Sequence, residues 1–211
     1  VNRDMKDMEL FKINKKSLCT SCGACASVCP VNCIELKLND EGFYMPEIIG
    51  KCERCQRCGS VCPINNRLSQ INREEHYIAS SKNKLEKMKS SSGGVIPAMV
   101  KKVITDNGVV YGCAFVGGFR ATHIRVNSLE DINLLHGSKY TQSYMGTILK
   151  RVKKDLDDGL EVLFIGTPCQ VHGLKCYLNN REYENLISCD LLCHGVPSYG
   201  LFTKYIEYHE K

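Results

Sequence analysis

Cys19–Pro30 reads CTSCGACASVCP, and 33 residues further on Cys52–Pro63 reads CERCQRCGSVCP, with seven of the twelve positions identical. The first third of the chain is therefore an internal duplication. Between the copies, Ile34, Leu36 and Leu38 alternate with polar residues. Asn39-Asp40-Glu41-Gly42 then supplies turn chemistry ahead of Phe43-Tyr44-Met45, so this stretch reads as a short β-hairpin. The duplication also accounts for eight of the 14 cysteines that are the oddest feature of this 211-residue composition. Such a chain is too long to be one of the small secreted scaffolds in which disulfides replace a core. With 43% hydrophobic and 24% charged residues, neither a disordered tail nor a collagen-like fibre fits.

No stretch approaches the ~18 consecutive apolar residues of a membrane span. The start VNRDMKDMELFKINKK mixes acids and bases where a signal peptide would place an apolar run. The expected compartment is a reducing cytoplasm, with no membrane span. The net charge of +5 divides into +2 over residues 1–70 (10 Lys and Arg against 8 Asp and Glu) and +3 over the rest (18 against 15). No basic block points to nucleic acid.

The spacing C-x2-C-x2-C-x3-C-P is the iron–sulfur run of bacterial ferredoxins, in which three closely spaced thiolates hold one cluster and the fourth crosses to the other. Carried over by position, Cys19, Cys22, Cys25 and Cys62 hold one [4Fe–4S] cluster, and Cys52, Cys55, Cys58 and Cys29 hold the second. Cysteines two residues apart in a tight loop turn their sulfurs inward at three corners of a cubane. Pro30 and Pro63 redirect the chain, while Gly23 and Gly59 leave room for backbone N–H groups near cluster sulfur. Zinc ligation and disulfides are the alternatives, but a zinc site needs four ligands, not three in a row plus a proline-tagged fourth. Each oxidised cubane with four thiolates carries on the order of −2, which takes the formal +5 to about +1. Cys33 lies outside both motifs and reads as a small buried hydrophobe.

Residues 65–90 are polar, which places a connector near Asn66–Glu75. Beyond it, Val95–Thr105 reads as a helix with Pro97 in its first turn, Val109–Phe115 and His123–Val126 as strands, and Tyr144–Asp158 as an amphipathic helix ended by Gly159. Glu161–Gly166 and Leu186–Leu192 are apolar runs of buried-strand length, so the region alternates as an α/β layer. Four segments there carry site chemistry. Ser91-Ser92-Gly93-Gly94 precedes a helix and suits a phosphate or a flavin pyrophosphate, or is an ordinary linker. Ser138-Lys139-Tyr140, within Gly137–Ser143, suits an anion or an aromatic ring, or is a solvated loop. Thr167 and Cys169 lie in Gly166-Thr167-Pro168-Cys169-Gln170, at a strand end and a helix start. Cys193, in Cys193-His194-Gly195-Val196-Pro197-Ser198, closes the next strand in the same sense. Cys169 and Cys193 then face each other as a redox pair or as ligands of a third [4Fe–4S] cluster, whereas Cys113, Cys176 and Cys189 read as packed core cysteines.

In order and wording these segments resemble the family of coenzyme F420 hydrogenase/dehydrogenase beta subunits across essentially the whole chain. The resemblance implies a flavoenzyme core in which FAD exchanges a hydride with a deazaflavin or another substrate and single electrons with iron–sulfur clusters. The cofactor-binding residues would be Ser91, Ser92, Gly93, Gly94, Ser138, Lys139, Tyr140 and Thr167. Family members usually continue well past the last motif. The expected fold is thus an α+β ferredoxin-like dicluster module, residues 1–70, followed by a truncated α/β domain, residues 76–211. The expected function is an iron–sulfur oxidoreductase relaying electrons to or from flavin, working with a redox partner protein or subunit. The rival readings are a plain ferredoxin-like electron carrier without flavin and a gene fragment that retains cluster binding.

Overall fold

The computed structural model describes residues 18–66 and 75–210. Most of the connector expected near Asn66–Glu75, and the charged start read against a signal peptide, lie outside the described residues.

In the first segment, α1 (Ala24–Val28), β1 (Ile34–Leu38), β2 (Tyr44–Ile48) and α2 (Arg57–Ser60) follow in order. The strands pair antiparallel with Leu38 opposite Tyr44 and Ile34 opposite Ile48, and Gly42 takes the positive φ of the turn at +77°. The hairpin is the one that the alternating apolar pattern implies, with β2 running three residues further. The duplication is repeated in the backbone. Ser21 and Arg54, 33 residues apart, have φ of 54° and 53°, and the equivalent Gly23 and Gln56 have φ of 78° and 61°. Each of the latter pair precedes a short helix.

The second segment contains α3 (Lys84–Met88), α4 (Val95–Thr105), β3 (Val109–Val116), β4 (Arg120–Val126), a 3-10 helix (Leu129–Leu135), α5 (Ile148–Asp157), β5 (Val162–Gly166), α6 (Pro168–Tyr177), β6 (Leu186–Asp190) and α7 (Tyr199–His209). The sheet order is β4-β3-β5-β6, with β4 antiparallel to β3 and the β3–β5 and β5–β6 pairs parallel. Period-two alternation divides its strands between two faces. Val110, Leu163 and Ile165 pack on α4 (Val100, Val103, Ile104), with Ile132 and Leu135 of the 3-10 helix against this cluster. Val109, Tyr111, Val162 and Phe164 pack on α5 and α6. Burial on both faces explains why β5 reads as an unbroken apolar run.

The strand read over His123–Val126 begins three residues earlier, at Arg120, and two further boundaries differ from expectation. The helix read over Tyr144–Asp158 begins only at Ile148. Tyr144 instead lies beside β4, its N–H donating to Ala121 O at 2.8 Å and its carbonyl accepting from His123 N at 3.0 Å. The strand read over Leu186–Leu192 ends at Asp190, and residues 191–197 are exposed. The short α3, the 3-10 helix and α7 have no counterpart in the sequence reading; α3 and the 3-10 helix are N-capped by Asn83 and Ser128, α7 by Ser198.

One apolar cluster runs through both segments, joining Leu36, Tyr44 and Val61 to Leu149, Val152, Val171 and Leu174. Polar links reinforce the junction. Gln142 Oε1 accepts the Tyr44 N–H at 2.6 Å, and Arg120 Nε donates to Tyr44 Oη at 3.1 Å with its guanidinium 4.3 Å from the Tyr144 ring centroid. Tyr199 of α7 stacks on Tyr44 at 5.8 Å, and Gly200 N donates to Gly42 O at 3.1 Å. Under the sheet, buried Asp155 accepts from Tyr111 Oη and Arg125 Nε, both at 2.6 Å, and pairs with Arg151 at 3.3 Å. Burial opposes its ionisation, but the Arg125 and Tyr111 hydrogen bonds and the two guanidinium charges outweigh burial and hold the carboxyl below its ordinary value. Among the described residues no helix is long and apolar enough to cross a membrane.

Candidate metal centre

The two motif copies meet at one recess, lined by Cys19, Thr20, Ser21, Cys22, Gly23, Ala24 and Cys25 from the first copy and Cys62, Pro63 and Ile64 from the second, with Pro46 of β2. The four thiols that the crossed reading assigns to one cluster therefore surround a single space. The left-handed residues at 21 and 23 bend the loop, and α1 starts immediately after it. Burial pushes the Cys22 thiol up to about 12, and the neighbouring Cys19, Cys62 and Cys169 push in the same direction against the Ala24 N–H. Cys25 is likewise raised, by burial first and then by Cys22, Cys19 and Cys62. A set of crowded, buried thiols is an unfavourable place for a lone thiolate and a good one for cationic iron, which removes the protons and neutralises the repulsion. The residues fit an iron–sulfur cluster in this respect. Among the described residues no three His, Cys, Asp or Glu side chains converge tightly enough to hold a single metal ion.

The second predicted set, Cys52, Cys55, Cys58 and Cys29, is gathered less tightly. Cys29 is buried, Cys52 and Cys58 half-buried, and Cys55 exposed. Cys29, Cys33 and Cys62 belong to one small core, with Cys25, Cys52 and Cys58 packed against it. Burial raises the Cys58 thiol, with Cys52 and Cys55 adding repulsion against the local N–H groups. At Cys29 burial again opposes the thiolate, but hydrogen bonds from Cys33 and the Val31 N–H, with the Lys150 charge, bring it below its ordinary value. Lys150, on α5, donates to Cys29 O at 3.3 Å and to the Asn32 side chain, so the second segment braces this loop.

Helix α6 lies against the recess. A Cβ on Gly173 would meet Cys22 Cβ at 2.6 Å and its Sγ at 2.8 Å, so only glycine permits this approach. One turn to either side, Cys169 lies near enough to Cys22 to affect its ionisation, and Cys62 lies near enough to Cys176 to raise that thiol, after burial. His172 Nε2 is 2.8 Å from Asn66 O. Cys169, Gly173 and Cys176 follow a helical i, i+4, i+7 stripe, a signal that the sequence reading did not use. Gly23 also has a packing role, since a Cβ there would meet Gly146 O and Met145 Cβ, both at 2.9 Å.

The residues expected to hold a flavin are only partly assembled. Ser138 N donates to Ser91 Oγ at 3.0 Å, which joins two of the segments. Lys139 Nζ, however, donates to the carbonyls of Leu134, His136 and Gly137 at 3.2, 2.8 and 3.0 Å and so closes the end of the 3-10 helix. Gly93 O accepts from Ser81 N at 2.6 Å, Ser92 Oγ accepts from Gly93 N at 2.6 Å, and Gly94 is the left-handed residue ahead of α4. Tyr140 is 78% exposed. Thr167 is the N-cap of α6, with Gln170 Oε1 accepting its N–H at 2.9 Å and its hydroxyl 3.1 Å from Cys169 Sγ. The lysine and threonine groups are thus committed to internal bonds. Cys193 lies on the exposed stretch after β6, with Gly195 N donating to its sulfur at 3.4 Å.

Paired motif copies with matching backbone, and thiols from both around one recess, have the ligand chemistry of a [4Fe–4S] dicluster domain. Residues 18–66 match the family described as a 4Fe-4S dicluster domain, and residues 159–211 match the C terminus of the coenzyme F420 hydrogenase/dehydrogenase beta subunit. The resemblance carried by the motifs therefore holds, at both ends of the chain. The F subunit of F(420)H(2) dehydrogenase from Methanosarcina mazei is 24% identical over 198 residues, an alignment covering 88% of this chain and 56% of that protein. The chain thus spans little more than half the length of this relative. The fold is similar to a chain of the xenon-derivatised F420-reducing [NiFe] hydrogenase complex from Methanosarcina barkeri, with a TM-score of 0.51 and 21% identity over 63% of this chain and 50% of that one.

Proposed function

We propose that this chain is an electron-transfer subunit of an oxidoreductase linked to a deazaflavin coenzyme, working in a reducing cytoplasm with a redox partner subunit. One [4Fe–4S] cluster is held by Cys19, Cys22, Cys25 and Cys62, and the second by Cys52, Cys55, Cys58 and Cys29. The observation that carries this reading is the recess ringed by thiols of both motif copies. When bound, the clusters supply one-electron steps at potentials set by net charge, hydrogen bonds to sulfur and solvent exposure. The chain itself provides a buried site at the first set and a more exposed one at the second, where Cys55 faces solvent. That asymmetry gives electrons an outer port and an inner terminus against α6. The coenzyme class comes from the names of the relatives, both of which carry F420.

The test is anaerobic purification followed by iron, acid-labile sulfide and flavin analysis. About eight irons per chain is the expected result, and a chain without iron overturns the reading. Bound FAD would extend it to a flavoenzyme, and its absence leaves a one-electron carrier. About twelve irons would add a third cluster, with Cys169 and Cys193 its ligands.

A further inference from the structure

Cys33 stands outside the repeated motif, yet the fold delivers its sulfur to the second thiol set. Its Sγ lies 3.5 Å from Cys29 Sγ, its backbone N–H donates to that same sulfur at 3.4 Å, and Cys52 packs against the small core in which it sits. It is only 4% exposed and belongs to the small core that contains Cys29. Cys29, one of the four thiols proposed for the second cluster, is therefore its direct neighbour. The duplication makes this placement conspicuous, because the equivalent position 33 residues on is Asn66. There the amide donates to Ser60 O and Cys62 O at 2.7 and 2.9 Å and merely ties down the loop. The first copy has a metal-binding side chain where the second has a structural one.

We propose that Cys33 is a reserve ligand of the second [4Fe–4S] site, able to take the place of Cys29 at the same iron. This inference rests on the cluster assignment given above. The exchange is balanced without an oxidant. The Cys33 thiol gives up its proton, the bond from iron to Cys29 breaks as one to Cys33 forms, and the released Cys29 thiolate takes the proton across the 3.5 Å gap. With either cysteine present the site keeps four thiolates, and a cluster that loses one bond during redox work is retained. Sulfur is required, since only a thiolate supplies a ligand of equal charge and softness.

The test compares the anaerobically purified full chain with C33A, C29A and C29A/C33A, and with C29S/C33S as a smaller perturbation. Iron, sulfide and the paramagnetic spectrum of the dithionite-reduced protein are measured for each, with far-ultraviolet circular dichroism to confirm folding. Wild type and both single variants are expected to keep about eight irons, and the double variants about four. Loss of half the iron in C29A alone overturns the proposal, as does a double variant that keeps all of it. A wild type without iron overturns the cluster assignment instead.

Discussion

Gly173→Ala is the most direct probe of the junction between α6 and the thiol recess. In an exposed helix this change stabilises by about 1 kcal/mol, because alanine is the better helix former. Here the new methyl would lie 2.6 Å from Cys22 Cβ and 2.8 Å from its sulfur. Ordinary carbon contacts are about 3.5–4.0 Å, so helix and loop must separate by about 1 Å. Cys22 and Gly173 are both in well-packed surroundings, where overpacking of this kind costs about 1–3 kcal/mol. A separation of about 1 Å between packed backbone elements falls in the upper part of that range, about 2–3 kcal/mol, so once the propensity gain is subtracted a net loss of about 1–2 kcal/mol remains, which at a slope of about 2 kcal/mol per M is a urea midpoint lower by about 0.5–1 M. Urea unfolding followed by circular dichroism reads this, and visible absorbance reports cluster retention in the same samples. Gly50→Ala is the control, because its methyl would meet Cys33 Cβ at an unstrained 3.8 Å. A Gly173→Ala protein as stable as wild type, or more stable, with undiminished cluster absorbance would refute the close approach of α6 to Cys22.

Asp155→Ala removes the shared acceptor of Tyr111 and Arg125 and strands a guanidinium under the sheet, so a loss of about 3 kcal/mol is expected in urea unfolding; a change below about 1 kcal/mol would mean that the network is not structural. Burial lowers the His123 pKa to about 4, with Nε2 donating to Ile165 O at 3.1 Å. The ring is neutral in the fold while the unfolded chain protonates near its ordinary 6.5. Its contribution is complete above pH ~6.5 and falls by about 3 kcal/mol as pH drops to ~4; His123→Gln should remove that part of the pH dependence, and an unchanged slope would contradict it. Gly42→Ala places a methyl 2.5 Å from Gly200 Cα on a residue with φ of +77°. Both neighbours are backbone, so α7 should lift from the hairpin and limited proteolysis should cut within Tyr199–His209 faster than in wild type; equal cutting rates would mean that the two glycines are not in contact.

The local elements were legible because their signals are local. The spacing of Cys19–Pro30 and Cys52–Pro63 contains its own geometry, down to the paired φ values at positions 21 and 54. Val95–Thr105 and the β5 run follow from period and length. The start of α5 was not legible, because Tyr144 and Met145 have the same apolar character on a helix face as beside β4, and only the bonds to Ala121 and His123 decide between them. What the sequence hides is the junction. Gln142 meets Tyr44 across 98 residues, and Gly173 and Cys176 of α6 come to the recess through tertiary packing that no window of sequence reports. Lys139 shows the reverse case, a residue with binding chemistry whose ammonium is used up by three carbonyls of its own loop.

The central claim is that each cluster draws its ligands from both motif copies, and Cys62→Ala tests it with one iron determination beside wild type. Crossed ligation predicts about eight irons in wild type and about four in the variant, because the cluster held otherwise by Cys19, Cys22 and Cys25 is lost. A variant that keeps the full iron content of wild type would contradict it.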